Sequence, residues 1–153
     1  MSAEAGGERT APRRTDLALA RFGTVLTWLP IVFAVAISVA GSVATGVVRF
    51  DVLAPAELFP IFVAGGALIV AAAFRSGRRR VAAATSVAAG WAFLIGSQAV
   101  AVMTGLADGS RDPTGWPWLV AAGAVVAYGL AVIVAGVVGW ALARDLAAEA
   151  RDA

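Results

Sequence analysis

The sequence has no cysteine and no histidine. Those absences remove disulfides, thiol redox chemistry, haem ligation by histidine and the common zinc sites. Carboxylates remain as groups that could hold Mg2+ or Ca2+, and no metal site or cofactor is assigned. Lysine is missing as well: all twelve basic residues are arginine, and alanine is abundant. That composition suggests translation of GC-rich DNA, as in an actinobacterial genome. The net charge of +2 is small and split among short segments, which argues against a nucleic-acid partner. Charge is also missing from four long stretches: Phe22 to Val48, Leu58 to Phe74, Val81 to Ala107, and Pro113 to Ala143.

What is present is apolar. Sixty per cent of the 153 residues are hydrophobic and the mean hydropathy is positive, beyond the range of ordinary soluble domains. Roughly 20 apolar residues cross a bilayer, so four crossings are expected. The shortest run has 17 residues and is extended outward by Pro55, Ala56 and Glu57. Only helices and closed barrels satisfy their backbone groups in hydrocarbon, and these runs lack the alternating pattern of barrel strands. The expected fold is therefore an all-α integral membrane protein, a four-helix bundle with transmembrane helices at about 22–48, 55–75, 80–105 and 115–143. These make up a domain over 17–144. Residues 1–16, "MSAEAGGERTAPRRTD", lack apolar periodicity and read as a disordered tail, and residues 145–153 as a second short tail. The first apolar run exceeds a signal-peptide core and reads as a retained anchor.

The arginines orient the chain. Arg9, Arg13, Arg14 and Arg21 precede the first run, Arg75, Arg78, Arg79 and Arg80 join the second to the third, and Arg144 and Arg151 follow the fourth. The other two loops hold only Arg49 and Arg111. Cytoplasmic flanks carry the excess of positive charge, so both termini and the 75–80 loop are expected on the cytoplasmic side of a bacterial inner membrane. Trp116, Trp118 and Trp140 fall where interfacial aromatics belong. The basic loop Arg75, Arg78, Arg79 and Arg80 reads first as a topological anchor, with anionic lipid headgroups or a cytoplasmic protein as candidate partners.

An internal repeat is also visible. "FPIFVAGGA" (59–67) and "WPWLVAAGA" (116–124) agree at five of nine positions, and "ISVAGSVATG" (37–46) aligns with "GSQAVAVMTG" (96–105). The expectation is two tandem helical hairpins, a parallel repeat about an axis along the membrane normal.

Gly123, Ala127, Ala131, Ala135, Gly139 and Ala143 recur at intervals of four along the last helix. Such a ridge permits close helix approach, either within this bundle or against another subunit. Ala36, Ala40 and Ala44 form a smaller version on the first helix. Pro30 should loosen the first helix. Ser97 and Gln98 are the candidate intramembrane polar site, with Gln98 expected to bond a neighbouring helix. Asp51 with Glu57, and Asp108 with Asp112, read as solvated loop acids. Neither a nucleophile with a base nor clustered carboxylates is evident, so no catalytic residue is assigned.

The stretch "VVRFDVLAPAELFPIFVAGGALIVAAAFRSGRRR" resembles the second-helix region of the small membrane subunit of TRAP-type substrate transporters. The resemblance is carried by Arg49-Phe50, by Ala56-Glu57-Leu58 and by the basic end at Arg75, and covers about a fifth of the chain. That family often has a histidine after the basic end and a longer amphipathic segment before the next helix, both absent here. The leading functional expectation is a non-enzymatic accessory or structural subunit that packs with a second copy, as a homodimer, or with a larger membrane-protein partner. The alternative, which the resemblance implies, is the small membrane subunit of a transporter. An oligomeric passive channel is the remaining form of that alternative.

Overall fold

The structure, a computed structural model, describes residues 14–45, 58–110 and 112–152. The segment joining the first two helices, with Arg49, Asp51 and Glu57, most of the N-terminal tail, and Arg111 lie outside the described residues. Four helices account for most of the rest: α1 Arg14–Thr45, α2 Phe59–Ser76, α3 Arg80–Met103 and α4 Gly115–Asp152. Among the described residues there is no strand, and each helix is long and apolar enough to cross a membrane.

Local chemistry explains several helix ends. Pro60 sits in the first turn of α2, where its missing N–H would have had no intrahelical partner. The helix stops at Gly77, whose φ of 77° is left-handed and suits glycine. Gly77 opens a three-residue turn, and Arg79 leads into α3 with a φ of 51°. At the other end of α3, Thr104 N–H donates to Val100 O at 3.0 Å and Leu106 N–H to Ala101 O at 2.9 Å, which closes the last turn.

The helices alternate in direction and form a ring. Each packs beside its neighbours in sequence and α4 closes against α1, while the diagonal contact of α2 with α4 is slight. Packing is tightest toward the Gly77 turn, where Ala20, Ile69, Ala72, Ala83, Leu142 and Leu146 form one core cluster. A second, nearer the middle, joins Phe62, Val87, Val132 and Ala135. Toward the opposite end the burial thins. Outward faces carry Val25, Val32, Val39, Val102, Leu119, Val126 and Leu130, all exposed. An apolar surface of this extent requires lipid or protein around it.

Small residues set the helix distances. A Cβ built on Gly65 would lie 2.7 Å from Thr27 Oγ1 and 2.8 Å from Thr27 N, and one on Gly23 would lie 2.8 Å from Gly65 O. The α1 and α2 backbones therefore touch at this crossing. Lipid offers no hydrophobic drive between helices, so such close van der Waals contact supplies much of the attraction.

Two expected boundaries are corrected. The first helix begins at Arg14, not at 22, so residues 14–16 belong to helix and not to the tail. Its first turn holds Asp16, favoured at a helix N-terminus and paired with Arg75. The last helix continues past 143 to Asp152, so the expected tail at 145–153 is helical through residue 152. Leu146 is fully buried on that extension. At 38 residues α4 is about 57 Å long, nearly twice the hydrocarbon thickness of about 30 Å. α2 runs Phe59–Ser76 and α3 ends at Met103, close to expectation.

Candidate functional site

Three features of the bundle bear on function: the arginine end, the small-residue ridge, and the opposite end around Gln98.

At the arginine end, the tight turn aims its charges at the two terminal helices. Arg75 Nε donates to Asp16 Oδ1 at 2.6 Å, and Arg79 Nε donates to Asp145 Oδ2 at 2.7 Å. Arg78 Nη2 bonds Glu149. Arg80 lies over the Phe74 ring, 5.9 Å from its centroid. The basic loop is therefore a clasp that ties α2 and α3 to the start of α1 and the end of α4. The sequence reading missed the three acids, which stand 59 to 71 positions from their arginines. Arg144 covers Trp140 at 5.7 Å. From Trp118 to Trp140 α4 rises about 33 Å, close to the separation of the two interfaces of a bilayer.

The ridge on α4 divides into two parts. Ala131, Ala135, Gly139 and Ala143 are buried, Ala127 is half-buried, and Gly123 is exposed. A Cβ on Gly139 would lie 2.6 Å from Thr24 Oγ1 and 2.7 Å from Ile69 Cδ1, whereas one on Gly123 would meet nothing within 4 Å. The four residues nearest the arginine end are occupied by this chain's own helices, and only the far end stays open. On α1, Ala36 and Ala40 are exposed.

Ser97 and Gln98 part company. Ser97 is 2% exposed and its hydroxyl donates to Leu94 O at 2.8 Å. Gln98 is exposed, and the expected bond to a neighbouring helix is not found among the described residues. It lines an open groove between α2 and α3 with Phe59, Leu94, Ile95, Ala99 and Val102. Thr27, fully buried, has a hydroxyl without a hydrogen-bond partner among the described residues.

In the loop after α3, the backbone N–H of Ser110 donates to Asp108 Oδ1 at 3.0 Å and holds that carboxyl below the usual carboxylate range. Among the described residues no three acids come together as a metal-holding group. Compared with family models, curated proteins and solved structures, the chain finds no match in any of the three.

Proposed function

We propose that the chain is a non-enzymatic, multi-pass protein of a bacterial cytoplasmic membrane that acts as an accessory or structural subunit, pairing with a second copy of itself through the α2–α3 groove. The observation that carries this reading is Gln98. Its amide stands about five residues inside the α3 terminus at Met103, in a wall that is otherwise apolar, with no hydrogen-bond partner among the described residues. A lone amide in hydrocarbon is costly, and glutamine carries both a donor and an acceptor. Two copies related by a twofold axis would satisfy each other reciprocally. The buried part of the α4 ridge is already used internally, which leaves the groove as the better contact surface.

In this account both termini and the Gly77 turn face the cytoplasm, supported by the arginine bias and by Trp140 and Arg144 at the same end of α4. The bundle is also an ancestral duplication of one hairpin. Phe59 and Trp116, aligned by the repeat, both fall at the start of a helix running the same way. Their surroundings have since diverged: Gly66 packs on Val87, while its counterpart Gly123 is open.

The transport-subunit reading uses the same groove with a larger permease as occupant. A pore through one bundle has less support, because the core is filled by Phe62, Ile69, Val132 and Leu142, and Ser86 and Ser97 spend their hydroxyls on their own helix.

The chain lacks cysteine, so single cysteines report contacts directly. Ala99→Cys should cross-link two copies in native membranes under mild oxidation, and Val25→Cys on the outer face of α1 should not. Gln98→Leu should weaken association by roughly 8-fold or more, as the loss of two reciprocal interhelical hydrogen bonds of about 0.6 to 2 kcal/mol each predicts. Equal cross-linking at both positions, or none at Ala99→Cys, contradicts the self-pairing. Stoichiometric recovery of a larger membrane protein, lost with Gln98→Leu, would transfer the groove to the transport reading.

A further inference from the structure

At the arginine end, the outer surface where α1 meets α2 carries an open groove of about 500 Å3, lined by Thr15, Ala18, Leu19, Phe22, Leu68 and Arg75. Its walls are apolar and its polar groups, the Thr15 hydroxyl and the Arg75 guanidinium, sit at one end. We propose that this groove binds one anionic phospholipid, with an acyl chain along Ala18, Leu19, Phe22 and Leu68 and the headgroup phosphate on Arg75 and Thr15.

The ion pair with Asp16 prepares Arg75 for this. Asp16 is 5% exposed and, among the described residues, accepts from Arg75 Nε alone, while the arginine side chain remains 49% exposed. A guanidinium has five N–H donors in a fixed fork. The four on its terminal nitrogens bond no described residue. The buried carboxylate thus fixes one edge of the plane and leaves the other for a second anion, and the planar fork suits phosphate. The remaining arginines of the loop are engaged elsewhere: Arg78 and Arg79 reach α4, and Arg80 covers Phe74. Only Arg75 borders the groove. Arg14 and Arg21, exposed on the adjoining flank of α1 and in no ion pair with a described residue, add positive potential.

Charge complementarity selects the occupant. Lipid tails are as apolar as the walls, so the groove alone gives no preference for one lipid over another. A preference must come from the headgroup, and basic pockets between helices at the membrane surface favour anionic ones. The proposal rests on the reading that the four helices span a bilayer. Failure of that reading would appear separately, as protein recovered outside the membrane fraction.

The test uses the full chain in nanodiscs of equimolar phosphatidylglycerol and phosphatidylcholine, released into native mass spectrometry, with thermal unfolding recorded for every variant. The wild type should retain phosphatidylglycerol over phosphatidylcholine by about fivefold or more, the factor expected of one arginine at an anionic surface. Ala18→Trp, which fills the groove without changing charge, should abolish that retention, with Leu68→Trp used in its place if the first variant unfolds early. Arg75→Gln should lose the headgroup preference and Arg78→Gln should keep it. Absence of a preference in the wild type overturns the proposal, as does its survival in the tryptophan variants. Equal loss in Arg75→Gln and Arg78→Gln would mean diffuse surface charge and no site. Displacement of the lipid by millimolar inorganic phosphate would mean a plain anion site, which also overturns it.

Discussion

Glycine positions separate into those that touch another backbone and those that touch nothing, and this distinction yields the sharpest predictions at the scale of single residues. Gly65 has no room for a methyl group: Thr27 Oγ1, Thr27 N and Gly23 O all lie within 3 Å of the place its Cβ would occupy. Gly65→Ala should force α1 and α2 apart at a cost of about 1 to 3 kcal/mol, the range for overpacking a close contact. Gly123→Ala should be neutral or slightly stabilising, since the space beside it is empty and alanine is the better helix former. Thermal unfolding in detergent compares the two; equal tolerance would mean that α1 and α2 cross more loosely than these distances imply. The same contrast applies along the ridge. Ala135→Leu, at a fully buried position, should destabilise by a similar amount, and Gly123→Leu should not. The ridge was legible from its spacing of four. That its last four members are consumed within the chain was not, because spacing locates a face without naming its neighbour.

The helices themselves were legible because charge ends where hydrocarbon begins, which is why α2 and α3 fall within a few residues of the uncharged runs. The ends of α1 and α4 were not. A charge such as Arg144 marks the edge of the membrane but does not stop a helix, and what continues α4 is Leu146 in the core together with Asp145 and Glu149 on the loop arginines. Those partners meet only after folding. Deleting residues 145–153 should therefore lower the thermal stability of the whole bundle, whereas loss of a disordered tail would leave it unchanged. The three ion pairs are unequal. Arg78 and Arg79 pair with partly exposed acids, each contact worth about 0 to 1 kcal/mol. Arg75→Ala instead strands the nearly buried Asp16 carboxylate, and should cost about 1 to 3 kcal/mol. Denaturation of Arg75→Ala beside Arg78→Ala tests the ranking; equal losses would contradict it. Between α2 and α3, Gly77→Ala should cost about 1 kcal/mol, because φ is 77° and the new Cβ would lie 3.2 Å from Arg80 Nη2.

For the whole molecule, the bundle is closed at the arginine end and open at the other. The clasp, the core clusters and the close glycine contacts hold the first end, while Gln98 and the α2–α3 groove lie toward the second. Sequence patterning predicted four helices long and apolar enough to cross a membrane and a polar residue on α3, but not that this residue would face outward, since an isolated glutamine carries no periodicity. This polarity gives each end a proposed role, with anchoring and lipid contact near Arg75 and association near Gln98. In this account the arginine end also faces the cytoplasm. The most direct test places single cysteines at Ala148, exposed near the end of α4, and at Ala107, exposed in the loop after α3. An impermeant maleimide applied to intact cells should label Ala107→Cys and reach Ala148→Cys only after the membrane is opened. Labelling of Ala148→Cys in intact cells, with Ala107→Cys protected, would invert the molecule and contradict the account.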